Sequence, residues 1–319
     1  MARVAIVIVT YNSASEIGGC LDSLSHASDT EVVVVDNASA DETREIVRQK
    51  GVRLVASAWN LGFAGGVNRG VRETTAPLIL LLNPDAHLET GLEALTGRIT
   101  GKVGFAGGML LEEDGRPQTG FMVRNLPTPA ALAFEVLGLN RLFPWNPVNW
   151  HYRCRGNNPM TPGVAEQPAG AFLMFSRSLW LELGGLDERF SPVWFEDVDF
   201  CARAMAAGYQ GAYEPAAGAR HTGGHSFGTV GVGIRHKYWY GNLLEYAGKH
   251  YGIIGFRVVC LAVAAGALLR AVIELPRHGF KAFQMYGGIL RLALARFFRK
   301  RTKDNTAEGE MCEKSGGRE

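Results

Sequence analysis

The sequence predicts an α/β fold, in which a Rossmann-like, mostly parallel sheet carries helices on both faces and is followed by C-terminal helices. Four short runs, at residues 4–9, 31–35, 52–55 and 78–82, have the length and the β-branched or leucine content of buried strands. A stretch long enough for a helix separates each run from the next, and this alternation is typical of parallel sheets. The 319 residues are 47% hydrophobic, which excludes intrinsic disorder.

Local signals predict a helix in each interval between these strands. Residues 16–24 and 64–72 fill the first and third intervals. In the second interval, Ser39 and Glu42 have the spacing of a capping box, in which two side chains bond free N–H groups of the first helical turn. A helix should therefore begin just after the second strand.

Polar residues follow all four predicted strands. TYN at residues 10–12 ends the first strand, Asp36 and Asn37 follow the second, NLGFAGGVN at 60–68 follows the third, and NPD at 83–85 follows the fourth. Ligands of open sheets bind at the carboxyl ends of the strands, so these residues should line one rim. Each alone can be a helix cap or a turn former, but four together favour a binding site. The glycines do not fit G-x-G-x-x-G, so a nicotinamide-binding site matches poorly.

A nucleoside diphosphate with a divalent cation fits this rim better. Asp85 follows Pro84, which restrains the backbone, and a carboxylate held there can bind a hard cation that bridges two phosphates. Asp36 can accept hydrogen bonds from a base or ribose. The glycines within residues 62–66 allow the backbone to approach the ligand closely.

A second group of candidate residues lies beyond residues 127–168, which we interpret as an irregular insertion because they are rich in Pro, Asn and Trp. The sequence FEDVDF at residues 195–200 begins a helical pattern, with Glu196 and Asp197 as adjacent carboxylates at its start. Neighbouring aromatic side chains can raise the pKa of such a carboxylate towards that of a general base.

Two pairs of residues at helical spacing have different interpretations. Asp199 and Arg203 are four residues apart, and we expect them to pair on the helix surface. His221 and His225 are also four apart, but the two glycines between them disfavour a helical zinc pair. His221 remains a candidate ligand for the same cation as Asp85, because it follows the carboxylate motif in a glycine-rich loop.

These motifs, in this order, resemble those of the family 2 glycosyltransferases with a GT-A fold, and within them the bacterial rhamnosyltransferase-like branch. The resemblance rests on VTYN at residues 9–12, VDN at 35–37, NLGFAGGVN at 60–68, NPD at 83–85, GAF at 170–172, GLDERF at 185–190 and FEDVDF at 195–200. It covers about residues 3–230, and an ordered set of motifs is far more specific than any one of them.

The resemblance implies an inverting transfer of L-rhamnose from dTDP-rhamnose to a hydroxyl acceptor in cell-surface polysaccharide or glycolipid synthesis, with Mg²⁺ or Mn²⁺ as cofactor. By position it implies three sets of residues. These are the nucleotide-sugar contacts Thr10, Tyr11, Asn12, Asp36, Asn60, Gly65, Asn68 and Asn83, the metal ligands Asp85 and His221, and the base Asp197 with Glu196 as second choice. Asn83 replaces the first aspartate of the family's D-x-D motif, so the metal would rest mainly on Asp85 and the diphosphate.

Charge divides the chain into three segments. Residues 1–234 carry 18 basic and 24 acidic side chains, residues 235–303 carry 13 and 2, and residues 304–319 carry 2 and 5. We interpret them as a catalytic domain, basic amphipathic C-terminal helices and a disordered tail. The apolar run at residues 258–269 would form a helix of about 18 Å, too short to cross a hydrocarbon core of about 30 Å. With its basic neighbours, it is typical of a helix on an anionic membrane surface, and the alternative is a pair of core-packing C-terminal helices with a solvated basic face.

The remaining expectations concern location and alternatives. The five cysteines lack the spacing of a disulfide framework, and the N-terminus lacks a signal-peptide pattern. We therefore expect a cytoplasmic protein, peripheral at the inner face of the cell membrane, with a lipid-linked glycan as a fitting acceptor and no nucleic acid partner. A sugar-1-phosphate nucleotidyltransferase is disfavoured, because no Gly-rich, basic loop follows the first strand. A non-catalytic nucleotide-sugar-binding protein is disfavoured, because Asp85, Glu196 and Asp197 occur together.

Overall fold

The computed structural model describes residues 2–223 and 232–298. The strands are β1 (Val4–Thr10), β2 (Thr30–Asp36), β3 (Arg53–Ala56), β4 (Leu78–Leu82), β5 (Ala86–Leu88), β6 (Val103–Leu111), β7 (Val123–Arg124), β8 (Gly163–Val164), β9 (Gln167–Pro168), β10 (Phe172–Ser176) and β11 (Gln210–His221). The helices are α1 (Ile17–Ser23), α2 (Thr43–Gln49), α3 (Gly62–Arg72), α4 (Glu93–Arg98), α5 (Pro129–Val136), α6 (Leu139–Leu142), α7 (Pro147–Tyr152), α8 (Arg177–Glu182), α9 (Glu196–Ala206), α10 (Val232–His250), α11 (Ile253–His278) and α12 (Lys281–Phe298).

The four predicted strands are β1 to β4, and they pair in parallel in the order β3-β2-β1-β4. The sheet continues through β10, β6, β11 and β5. Strands β6 and β11 are parallel to each other, whereas β10 and β5 run antiparallel to their neighbours. The prediction of a mostly parallel sheet is confirmed.

Helices cover both faces of this sheet, as predicted. Successive side chains of a strand point to opposite faces, so the apolar strands give both faces a surface to bury. Ile6 and Ile8 of β1 pack in one core with α1 and α2. Val7 and Val9 pack in another core with α3, α8 and α9. The sheet is therefore buried between two apolar layers, one of which includes helices from the second half of the chain.

The helix after β2 begins at Thr43, and the predicted capping box does not form. The Ser39 hydroxyl accepts the N–H of Asn12 at 2.9 Å, and Asp41 accepts the N–H of Thr43 at 3.1 Å. Glu42 occupies the N-cap position without a side-chain bond to the helix. The side chain of Ser39 thus ties the loop to the end of β1 instead of capping α2.

Residues 127–168 contain three short helices, α5 to α7, so the prediction of an irregular insertion is wrong for this part of the chain. Thr128 and Asn146 cap α5 and α7 by accepting N–H groups at 3.1 and 2.8 Å. A proline follows each cap, at the start of the helix, where its missing N–H costs no bond and its φ angle is favourable. Two of the prolines that indicated irregular structure, Pro129 and Pro147, are therefore helix starts.

The C-terminal helices α10 to α12 are present, and they pack in a third core with α5 and with aromatic residues next to the acidic motif. Helix α11 has 26 residues, because it continues through Arg257 and Arg270 at the ends of the predicted run. It is about 39 Å long at 1.5 Å per residue. Within the described ranges, it is the one helix long and apolar enough to cross a membrane, so the argument that the segment is too short is wrong. His225 and residues 304–319 lie outside the described residues.

Candidate active site

Asp36, at the end of β2, is fully buried, and three donors bind its carboxylate. The Thr10 hydroxyl donates to Oδ1 at 3.2 Å, and the Ser39 N–H and Arg44 Nε donate to Oδ2 at 3.0 and 2.5 Å. Arg44 also donates to the carbonyl of Ser57, and so joins the ends of β2 and β3. Sequence reasoning missed Arg44, which lies on a helix without a motif. The predicted contacts of Thr10 and Asp36 with the nucleotide stay predictions.

Tyr11, Asn12 and Asn60 lie at the outer part of the rim. Tyr11 is 36% exposed, and Asn60 is exposed while its side chain accepts the N–H of Gly62 at 2.8 Å. Asn12 adopts a left-handed φ of 51°, and its side chain accepts the N–H of Ala40 at 2.8 Å. These bonds fix the two loops while leaving Tyr11 and Asn60 accessible to a ligand.

Asn68 supports the rim from the interior. It is 2% exposed, and its amide oxygen accepts the N–H of Leu186 at 2.9 Å and the indole N–H of Trp180 at 3.2 Å. Its amide nitrogen donates to the Leu186 carbonyl and to Glu188 at 2.8 and 2.9 Å. Gly65, one turn earlier on α3, is also buried. Since α8 and the segment after it use the whole Asn68 amide, its direct contact with a nucleotide sugar stays a prediction.

Asp85 and His221, the predicted metal ligands, converge beside the pairing of β5 with β11. Nε2 of His221 lies 3.4 Å from Oδ1 of Asp85, and both residues are buried. The amide nitrogen of Gln118 donates to the carbonyl of His221 at 2.7 Å, so its amide oxygen, 3.2 Å from Nδ1, is left as an acceptor. This assigns the ring proton to Nδ1 and directs a lone pair on Nε2 towards Asp85. Phe121 stacks on the imidazole with centroids 5.5 Å apart.

This arrangement fits a divalent cation. A carboxylate oxygen and an imidazole lone pair that face each other at 3.4 Å have the spacing of two ligands each about 2.1 Å from one ion. No group of three or more His, Cys, Asp and Glu side chains suited to a metal occurs in residues 2–223 and 232–298. A cation here would take its other ligands from water and from a bound diphosphate. Asn83, two residues before Asp85, is half-buried.

Asp197 lies in the first turn of α9, as predicted, and is half-buried. Its Oδ2 accepts the N–H of Gly170 at 2.9 Å, and its Oδ1 accepts the N–H of Val198 at 2.8 Å. Burial raises the pKa of Asp197, while these N–H groups and the charge of Arg124 reduce the rise. A carboxylate with a raised pKa is a stronger base than an exposed one.

Glu196, the second choice for the base, is buried more deeply. It is 4% exposed, and its Oε2 is buried without a hydrogen-bond partner among the residues that the structure describes. Burial and the charge of Asp197 raise the pKa of Glu196 well above its ordinary value, which favours the neutral form. The geometry therefore suits Asp197 better than Glu196 for accepting a proton from a bound substrate.

Gly170 and Ala171 join the acidic motif to the NPD segment at the start of β10. The N–H of Gly170 bonds Asp197, and the carbonyl of Ala171 accepts the N–H of Asn83 at 3.0 Å. A Cβ atom at Gly170 would lie 3.0 Å from the Cβ of Asp197 and 3.1 Å from its Oδ2, so glycine allows this close approach. The two groups of residues that the sequence separates by more than a hundred positions thus meet across one dipeptide.

Arg124, on β7, is a candidate residue that sequence reasoning missed. Its guanidinium lies 5.6 Å from the ring centroid of Phe121 and 5.7 Å from that of Tyr152. Its Nε donates to the carbonyl of Gly120 at 2.8 Å, and it makes no ion pair with an acidic side chain in the described part of the chain. Phe121 also stacks on His221, so the positive charge of Arg124 lies near the candidate metal ligands Asp85 and His221 and near Asp197.

Residues 5–149 match the family model described as glycosyl transferase family 2. Over this range, which is less than half of the chain, the sequence is similar to the family 2 glycosyltransferases. The matched range contains the rim, Gln118 and Arg124, whereas the acidic motif and the C-terminal helices lie beyond it.

Two relatives match a larger part of the chain. A low-salt glycan biosynthesis hexosyltransferase of Haloferax volcanii is 29% identical over 206 residues, which are 63% of this chain and 61% of that protein. An N-acetylglucosaminyl-diphospho-decaprenol L-rhamnosyltransferase of Mycobacterium tuberculosis is 28% identical over 245 residues, which are 70% of this chain and 77% of that protein. The chain thus spans less than two thirds of the length of the Haloferax relative.

The architecture is also that of a solved glycosyltransferase. The mannosyltransferase PcManGT from Pyrobaculum calidifontis, whose structure contains GDP-mannose and Mn²⁺, is 18% identical with a TM-score of 0.52 and matches over 94% of this chain and 88% of its own. The predicted GT-A fold is confirmed. At this identity the likeness concerns the fold alone.

The predicted pair of Asp199 and Arg203 is present, at 2.7 Å, but it is not on the helix surface. Asp199 is fully buried and also binds Lys249 at 2.6 Å and His250 at 2.7 Å. Burial alone would raise the pKa of Asp199, but these positive partners and hydrogen bonds hold it below its ordinary value. The C-terminal helix α10 therefore neutralises a carboxylate of the acidic motif.

Proposed function

We propose that this protein is an inverting glycosyltransferase that transfers L-rhamnose from dTDP-rhamnose to a hydroxyl group of a lipid-linked acceptor in cell-surface glycan synthesis. The observation that carries the proposal is the contact of Gly170 with Asp197 and of Ala171 with Asn83, which brings a carboxylate of raised pKa beside the rim. The family match supports sugar transfer. The name of the mycobacterial relative supports the donor and the acceptor class.

In this reaction, Asp197 accepts the proton of the acceptor hydroxyl as its oxygen attacks the anomeric carbon of the donor. The new C–O bond forms on the face opposite the leaving group, and the bond to the diphosphate breaks with its electron pair on oxygen. A single displacement inverts the configuration at that carbon. The N–H groups that bind both Asp197 oxygens hold the carboxylate in one orientation, as a positioned base requires.

Charge on the leaving diphosphate needs a positive partner. We propose that Asp85 and His221 hold Mg²⁺ or Mn²⁺, which would offset this charge when bound. The Mn²⁺ in the solved mannosyltransferase supports a divalent cation at such a site. Arg124 supplies a second positive charge near both groups, held between two aromatic rings.

A donor screen followed by one substitution tests this function. We expect dTDP-rhamnose to raise the melting temperature of the protein more than UDP or GDP sugars do, and this rise should depend on Mn²⁺. We also expect the full chain to transfer rhamnose to N-acetylglucosaminyl-diphospho-decaprenol with inversion, which NMR of the product measures. Asp197→Asn should lose turnover but keep the dTDP-rhamnose affinity. A different sugar nucleotide as the best ligand would refute the donor, and unchanged turnover in Asp197→Asn would refute the base.

We further propose that the enzyme is cytoplasmic and binds the inner face of the cell membrane through α11. One face of α11 packs on the protein, whereas apolar residues at helical spacing line the other. The exposed set is Ile254 (78%), Val258 (44%), Leu261 (51%), Leu268 (48%) and Val272 (58%). Arg257 and Arg277 lie near its two ends, where cations favour anionic headgroups. An apolar face flanked by cations is typical of a helix in a membrane interface.

Flotation with lipid vesicles tests this attachment. We expect the full chain to float with phosphatidylcholine vesicles that contain phosphatidylglycerol, and the double variant Leu261→Glu, Val272→Glu to remain at the bottom. Val164→Glu is the matched control, since Val164 is 75% exposed on β8. Equal flotation of the double variant and the control would refute attachment through α11.

A further inference from the structure

The loop before the acidic motif has an unusual backbone. Trp194 and Phe195 adopt φ angles of 78° and 74° in the left-handed region, which bulky side chains rarely occupy. Phe195 is the N-cap residue of α9, so this backbone sets the direction in which Glu196 and Asp197 leave the loop. Such strained residues persist only where the surrounding structure holds them.

Two elements from distant parts of the chain hold this loop through consecutive carbonyl groups. The N–H of Phe63, at the start of α3, donates to the carbonyl of Pro192 at 2.7 Å. The side-chain nitrogen of Asn242, on α10, donates to the carbonyls of Val193 and Trp194 at 2.8 and 3.2 Å. Asn242 is 6% exposed, so its bonds are made in a buried setting where loss of a donor is costly.

Aromatic packing from the same helix supports the loop on its other side. Phe195 is buried against Tyr246 and Trp239, with ring centroids 5.6 and 6.3 Å apart. Asn242 lies between these two positions along α10, about one helical turn after Trp239 and one turn before Tyr246, so the three share one face. One face of α10 thus contacts the loop by apolar packing and by hydrogen bonds.

We propose that Asn242 is a positioning residue for the reaction: it holds the loop at residues 191–195 in its left-handed conformation and so fixes Asp197 against Gly170. The inference rests on the proposed role of Asp197 as the base. It assigns α10, from the basic C-terminal segment, a part in the catalytic centre that its sequence did not indicate. Asn242 itself need not touch a substrate, because it acts through the backbone.

Kinetics of the full-length enzyme with dTDP-rhamnose and N-acetylglucosaminyl-diphospho-decaprenol test the inference. Asn242→Asp keeps the shape but replaces the donor with an oxygen, and Asn242→Ala removes the group. We expect kcat to fall by about tenfold or more in both, with the KM for dTDP-rhamnose changed by less than about twofold. Asn149→Ala is the control, since Asn149 is a 1% exposed asparagine that donates to the Pro144 carbonyl at 2.8 Å, away from the acidic motif.

A double variant separates positioning from general loss of stability. If Asn242 acts through the base, Asp197→Asn combined with Asn242→Ala should turn over no more slowly than Asp197→Asn alone. Additive losses would overturn the inference, as would kcat values for the Asn242 variants equal to that of Asn149→Ala. Full turnover in Asp197→Asn would instead refute the proposed base, so the two failures are distinguishable.

A measurement without substrate covers the case in which neither substrate is turned over. Amide hydrogen exchange of the folded Asn242→Ala protein should be faster than wild type at residues 191–199, and unchanged in the sheet core. Unchanged exchange at residues 191–199 would show that the loop does not depend on Asn242, and would overturn the inference.

Discussion

Replacing Gly170 by alanine should disturb Asp197 while leaving the rest of the fold intact. The new Cβ would lie 3.0 Å from the Cβ of Asp197 and 3.1 Å from its Oδ2, about 0.5 Å inside an ordinary contact. The backbone of Gly170 is outside the left-handed region, so alanine meets no conformational penalty there. Since a displacement of about 1 Å can cost about a hundredfold in rate, a shift of about 0.5 Å should cost about tenfold, or about 1.4 kcal/mol in the barrier.

The assay is the rate of nucleotide diphosphate release at saturating donor and acceptor, together with donor affinity, which should not change. Gly97→Ala is the control, because a Cβ at Gly97 of α4 would meet nothing within 4 Å; it should leave kcat unchanged and stabilise the protein by about 0.5–1 kcal/mol. Equal kcat values for the two variants would refute the claim that Gly170 fixes the position of the base. Equal losses in donor affinity and kcat would refute the claim that its effect is limited to the base.

Three further predictions test other parts of the site. Because the pKa of Glu196 is raised in the folded protein, its protonation stabilises the fold at low pH, and this stability is lost as pH rises through the raised value. Glu196→Gln should therefore raise the melting temperature at neutral pH. An unchanged profile of melting temperature against pH would contradict this. Gln118→Leu removes the partner that orients His221, so it should weaken the affinity for Mn²⁺ by about 10- to 100-fold, measured by calorimetry with dTDP present. Unchanged affinity would contradict the assignment of the ring proton to Nδ1. Gly70→Ala would place a Cβ 2.5 Å from a methyl group of Val7 and should cost about 1–3 kcal/mol of stability in urea unfolding. An unchanged free energy of unfolding would contradict the tight packing of α3 on β1.

The parts of the site that the sequence predicted are those encoded locally. Each strand of the first half ends in a short polar motif, and the parallel sheet brings these ends together whatever the details of packing. Asp85 and Asp197 could be found in this way, because each follows a recognisable strand or begins a helical pattern. The 3.4 Å contact between Asp85 and His221 could not be predicted in this way, because it depends on β5 and β11 being neighbours in the sheet.

The residues that sequence reasoning missed act across long separations and belong to no motif. Gln118 contacts a histidine 103 positions away, and Asn242 contacts carbonyls 48 and 49 positions away. Arg124 precedes the predicted insertion and belongs to no motif, so its contacts with two aromatic rings could not be predicted. In each case the residue type is common on protein surfaces, and only the tertiary contacts reveal a role.

The net charge of the basic C-terminal segment likewise did not reveal which of its cations form ion pairs within the protein. Its excess of cations suggested a surface for an anionic partner, yet Lys249 binds Asp187 and Asp199, and Arg296 binds Glu245, each at 2.6 Å. These pairs use the positive charge to neutralise buried or partly buried acidic groups, among them Asp199 of the acidic motif. Membrane attachment should therefore depend more on the exposed apolar face of α11 than on net charge. Flotation that persists at high salt, where electrostatic attraction is screened, is the behaviour that follows from this distribution.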